Sequence, residues 1–198
     1  MTTTNPVIIA KSLGTKAKVL LIIALIISVA LPTVFVSVKE DLFILEILSV
    51  YATFAFMLWL AMIDAKYYTL PNKIILAWFV TRSLIIMLAV IITADVDMLI
   101  NSLLGAVIMG AFFLATYYLS KKTLGGGDVK LSFVLGLSLT LYMVFTAVFY
   151  ALVLCAIFSL VSLGLKRLTK KDFVPLGPFF FCGIAVAYVL EILMLTTI

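Results

Sequence analysis

The 198-residue sequence has no histidine. Ser-His-Asp triads, His-based zinc sites and HExxH metalloprotease helices are therefore excluded. Cysteine is nearly absent as well. Cys155 and Cys182 are the only two, each inside an apolar run and without a CxxC partner. No structural zinc site or disulfide framework can be drawn from them, and both read as small buried hydrophobes. Charge is scarce too, at 12% of residues, roughly half the usual share in a soluble domain. No polar stretch is long enough for a separate soluble domain, and neither an internal repeat nor a low-complexity segment is visible.

What the chain has instead is apolar length. It is 66% hydrophobic, with a mean hydropathy of +1.34. The excess lies in blocks of about 20 residues, the length that crosses a bilayer. The fold class expected is all-α, a polytopic membrane bundle of about seven helices. Apolar runs place them near residues 19–38, 42–63, 73–93, 98–119 and 176–196, with a charge-free run of 35 residues at 131–165. Residues 1–18 form a cytoplasmic N-terminal segment and 19–198 the membrane-embedded domain. A signal peptide ending at "SVALP" is the other reading of the start, but the apolar run continues to Val38, so the first helix is taken as retained.

Basic residues set the expected topology, because cytoplasmic flanks collect Lys and Arg. With the N-terminus inside, Lys11, Lys16, Lys18, Lys66, Lys73, Lys121, Lys122, Lys130, Lys166, Arg167, Lys170 and Lys171 all fall inside if the 131–165 run crosses twice. One crossing would push the last four outside. A hairpin turning near Gly136–Thr140 is therefore expected, giving seven crossings, or six if the run does not fully cross twice. The net charge of +5 follows from these loops and anionic lipid contact. They offer too little basic surface for nucleic acid, and no nucleic-acid partner is expected.

Nine acidic residues remain. Glu40, Asp41, Glu46, Asp95, Asp97 and Glu191 fall toward the outer edge, and Asp172 is a counter-charge in a basic loop. Asp64, in "WLAMIDAKYYTLPNKII", and Asp128, in "KKTLGGGDVKL", share the inner boundary. Pro71 and Asn72 read as the start of a helix, with Asn as its cap. Two carboxylates at one depth fit acid–base activation of water, one as base and the other holding a shared proton. The plainer reading makes Asp128 a helix N-cap and Asp64 an interfacial anchor. Gly125, Gly126 and Gly127 permit close backbone approach or positive φ and leave room beside Asp128.

The "GGGD" with "VKL" after it resembles the GxGD motif of intramembrane aspartyl proteases, in the form used by type IV prepilin peptidases. "IDAKYYTLPN" resembles the first motif of that family, and "VPLGPFFFCG" resembles its Pro-x-Gly-Pro-Phe segment. The resemblance implies that Asp64 and Asp128 are the catalytic pair. It implies cleavage of the basic leader of prepilins or pseudopilins, after a glycine, on the cytoplasmic side of a prokaryotic inner membrane. No metal or other cofactor is implied; the partners are the pilin substrates and the lipid bilayer. Gly125, Gly126, Gly127, Lys130, Pro71, Asn72, Gly177 and Pro178 would bind substrate or shape the site. The likeness is to the short, peptidase-only form, without the two-CxxC domain of longer members, so N-methylation finds no support. Two other readings are a cation-coupled transporter or channel, and a non-catalytic pilin assembly factor.

Three further features are weighed more plainly. Arg82, mid-run, reads as a snorkelling residue or structural pair, with substrate contact or a partner role for Glu46 as the functional alternative. Lys130 reads as an interfacial anchor or a contact for Asp128 or a substrate carboxylate. Trp59, Tyr67, Tyr68, Trp78, Tyr117 and Tyr118 read as an aromatic belt.

Overall fold

Inside lipid every backbone N–H and C=O must be satisfied within the protein, so apolar runs of this length fold as helices. The computed structural model describes residues 15–38, 44–120, 124–166 and 174–197. Lys11, Lys39, Glu40, Asp41, Lys121, Lys122, Arg167, Lys170, Lys171 and Asp172, and the side chains of Lys16 and Lys18, lie outside the described residues. The described chain forms seven helices and no strand: α1 Thr15–Val38, α2 Ile44–Tyr67, α3 Asn72–Thr93, α4 Val96–Leu119, α5 Gly126–Ser138, α6 Leu141–Gly164 and α7 Gly177–Thr197.

Six of these are long and apolar enough to cross a membrane. The exception is α5, whose 13 residues reach about 20 Å at 1.5 Å per residue, short of a hydrocarbon core of about 30 Å. The 131–165 run thus divides at Leu139–Thr140, as a hairpin should, but into unequal halves. Thr140 supplies the break by accepting the Met143 N–H at 3.3 Å as the cap of α6. The short helix is tolerated because protein surrounds it: Leu131, Ser132 and Val134 to Ser138 are all buried. It packs closely along α4. A Cβ added at Gly136 would overlap the Gly105 carbonyl, so small residues set this helix separation.

Helix α2 is the hub, touching α1, α3 and α7, while α6 packs along α7. Between them lie Phe54, Met57, Leu60, Trp78, Leu131, Leu135, Val144, Phe180 and Ile184, all essentially inaccessible. The outer faces carry large exposed side chains such as Leu20, Ile91, Leu119 and Leu160, the surface expected where lipid is the solvent. Trp78 departs from the expected belt. It is buried and stacks on Phe56 with centroids 6.1 Å apart. Cys182 departs from its reading as a buried residue, since it is exposed on α7, while Cys155 is half-buried.

Candidate functional site

Asp64 lies one turn before the end of α2 and is 5% exposed. The helix closes just beyond it: Tyr68, at φ 53°, donates its N–H to the Asp64 carbonyl at 2.8 Å, a left-handed C-terminal stop. From the other side, the first residue of α7 reaches the carboxylate, with the Gly177 N–H donating to Asp64 Oδ2 at 2.7 Å. A Cβ at Gly177 would lie 2.9 Å from Asp64 Cβ and 3.0 Å from Oδ2. Glycine is needed there for close approach, and Pro178 follows it in the first turn of α7.

Asp128 is not a helix cap. Gly125 caps α5, Gly126 and Gly127 are its first helical residues, and Asp128 stands in its first turn. Its carboxylate accepts from the Gly125 backbone N–H, the reach of an acidic residue back to the cap position. The glycines are not a left-handed hinge either, since no described glycine has positive φ. Their smallness serves packing: a Cβ at Gly127 would sit 2.9 Å from Leu70 Cβ, and one at Gly125 2.8 Å from Asp128 Oδ2. Gly126 alone of the three has open space at that position.

The two acids are within electrostatic range. Asp128 lies outside the six bilayer-length helices. Burial, and next the negative charge of Asp64, push its carboxyl up to about 6, against the opposing Gly125 hydrogen bond. The raised carboxyl keeps its proton below about pH 6 and loses it above.

Pro71 and Asn72 depart from the expected capping. Pro71 occupies the cap position and Asn72 the first helical one, with no side-chain cap bond. The Asn72 side chain is used elsewhere, because Lys130 Nζ donates to its Oδ1 at 3.0 Å. That pair stands at the mouth of an apolar groove of about 760 Å³ between α3, α4 and α5, lined by Ile75, Phe79, Gly110, Leu114 and Phe133. Three sequence segments therefore converge: Asp64 to Asn72, Gly125 to Lys130, and Gly177. Leu70, within the "IDAKYYTLPN" segment, packs on Gly127, and Cys155, expected only as a small buried hydrophobe, lies within electrostatic range of Asp128. Neither carries a local sequence signal for that role. Among the described residues, no group of three His, Cys, Asp or Glu side chains is gathered as a metal would need.

The arrangement defines a class first, a membrane helix bundle with two interacting carboxylates at one end of its interior. The chain belongs to the type IV leader peptidase family, whose model matches residues 51–160. That span includes Asp64, Asn72, Asp128 and Lys130 and stops before Gly177 and Pro178. A prepilin leader peptidase/N-methyltransferase of Bacillus subtilis (strain 168) is 27% identical over 128 residues. The alignment covers 65% of this chain and 50% of that protein, so the chain spans about half the length of this relative. No solved structure matches the chain.

Proposed function

We propose that this protein is an aspartyl endopeptidase of the cytoplasmic membrane. It removes the basic leader of type IV prepilins or pseudopilins after a glycine, on the cytoplasmic side. The observation that carries this reading is the electrostatic pairing of Asp128 with Asp64, whose carboxylate the Gly177 N–H holds. Lys66, Lys73 and Lys130 stand at the same end of the bundle, which supports a cytoplasmic placement.

The geometry divides the labour. Gly177 fixes one oxygen of Asp64, leaving the other free to take a proton from water. Asp128, whose carboxyl is raised to about 6, is the group that holds a proton and gives it to the scissile carbonyl oxygen. Water oxygen bonds to the carbonyl carbon, forming a tetrahedral diol. Collapse breaks the C–N bond: one diol hydroxyl returns its proton to Asp128 as the carbonyl re-forms, and the proton taken by Asp64 passes to the departing amine. The glycines beside Asp128 leave space for an extended backbone. The apolar groove, with Lys130 and Asn72 at its mouth, receives the first turns of the substrate's apolar helix.

The direct test is co-expression with candidate prepilins and mass measurement of the pilin N-terminus. Loss of the leader, ending after glycine, is expected; an intact leader with every candidate overturns the reading. Two finer outcomes follow. The proton on Asp128 is present below its raised value and lost as pH rises through it. kcat/KM should therefore fall about tenfold per unit above pH 6, and a flat profile from pH 5 to 8 would contradict the assignment of Asp128 as acid. Lys130→Glu should raise KM about tenfold, roughly 1.4 kcal/mol, with kcat little changed. Steady-state kinetics in proteoliposomes separates the two.

A further inference from the structure

Arg82 sits in mid-α3 and is 7% exposed. Its Nε donates to the Leu137 carbonyl at 3.0 Å, and a terminal N–H donates to Ser49 Oγ. Leu137 lies in the last turn of α5, where carbonyls have no partner within the helix and a cation is favoured by the helix dipole. A cavity of about 180 Å³ with a mixed lining, Glu46, Asn101, Ser102 and Ser138 among apolar side chains, lies beside Arg82. Holding a charge at this depth is expensive, and apolar side chains of similar volume would pack the site at lower cost.

The identity of the two partners is what matters. Ser49 belongs to α2, which carries Asp64 about 22 Å further along its axis; Leu137 belongs to α5, which carries Asp128 about 14 Å back along its axis. One buried side chain therefore ties together the far ends of the two helices that bear the aspartates. Other contacts hold the first two turns of α5: Lys130 donates to Asn72, the Ser132 hydroxyl to the Met109 carbonyl at 3.5 Å, and Phe133 packs on Gly110 and Phe79. At its far end the approach to α4 is glycine on glycine backbone, at Gly136 and Gly105, and Arg82 supplies the side-chain hydrogen bond there.

We propose that Arg82 is a positioning residue for the aspartate pair, setting the register of α5 against α2 from the opposite end of the bundle. The inference rests on the proposed role of Asp64 and Asp128, so its test includes one readout without cleavage. In a Cys155→Ser, Cys182→Ser background, Asp64→Cys and Asp128→Cys are joined in membranes by a short bifunctional thiol reagent. The linked peptides are then quantified by mass spectrometry. Adding Arg82→Gln should lower the linked fraction severalfold, and Arg82→Lys, which can still reach the Leu137 carbonyl, should restore part of it. In the otherwise native chain, Arg82→Gln should lower kcat about 10- to 100-fold, the scale of a misplacement near 1 Å, with KM within about twofold. Ser49→Ala removes only the α2 arm and should move both readouts the same way by less, which keeps the test open if Arg82→Gln does not fold. Native linking and native kcat per folded molecule in Arg82→Gln, or in Ser49→Ala where the former is not obtained, overturn the proposal. A chain that cuts no prepilin but loses linking in these variants sinks the peptidase reading and leaves the register role standing.

Discussion

Asp64→Asn and Asp128→Asn are each expected to leave prepilin leaders uncut, with rates down by at least about 10⁴-fold, the scale seen when one member of an interdependent catalytic set is removed. The two changes act differently on the chemistry. At position 64 the amide cannot take a proton from water; at position 128 it cannot give one to the carbonyl oxygen. Neither change should unfold the bundle. An amide oxygen at position 64 can still accept the Gly177 N–H that now reaches Oδ2 at 2.7 Å. Asp64→Asn also removes a charge on a buried side chain, whose desolvation opposes folding, and Asp128→Asn replaces a carboxyl that already holds a proton in the proposed mechanism. Both variants should therefore elute and melt like the parent in detergent while the pilin mass keeps its leader. Measurable cutting by either variant, at more than a hundredth of the parent rate, would mean that the aspartates are not the acid–base pair. Loss of folded protein in both would instead assign them to structure.

Much of this was legible in the sequence, for reasons that also explain what was not. Apolar runs locate the long helices because lipid leaves the backbone no alternative. The two acids could be assigned one depth because charge placement orders the loops. The start of α5 was missed: it begins at Gly126, before the apolar run, because an acidic residue in the first turn and a capped backbone carry the helix through polar residues. Asn72 has the chemistry of a cap, yet its oxygen goes to Lys130, 58 residues away. Trp78 looked interfacial by type and lies in the core because α2 packs over it through Phe56. The contacts that organise the site were beyond sequence reasoning. Gly177 meets Asp64 across 113 residues through a backbone N–H, and Arg82 meets Leu137 across 55 through a backbone carbonyl. Backbone groups are the same at every non-proline position, so residue types cannot announce such partners.

Gly177→Ala is expected to have the second largest effect, a fall in kcat of about 10²-fold with the protein still inserted and folded. The added methyl would stand 2.9 Å from Asp64 Cβ, 3.0 Å from Asp64 Oδ2 and 3.2 Å from Ala61 Cα. Two of those atoms are not the free end of a flexible side chain: Ala61 Cα is backbone, and Asp64 Cβ is fixed to buried helix α2. The strain is therefore relieved by moving the start of α7 away from α2. That shift lengthens the Gly177–Asp64 hydrogen bond and lets the carboxylate turn from its working direction. Overpacking of this size costs about 1–3 kcal/mol, so kinetics must be scored per folded molecule, with thermal melting as the companion measurement. Gly164→Ala, at the end of α6 with open space around the added carbon, is the matched control and should behave like the parent. A Gly177→Ala enzyme with parental kcat would show that the contact between α7 and Asp64 is packing alone. A selective loss of kcat, with melting little changed, would show that the N–H of Gly177 aims the carboxylate.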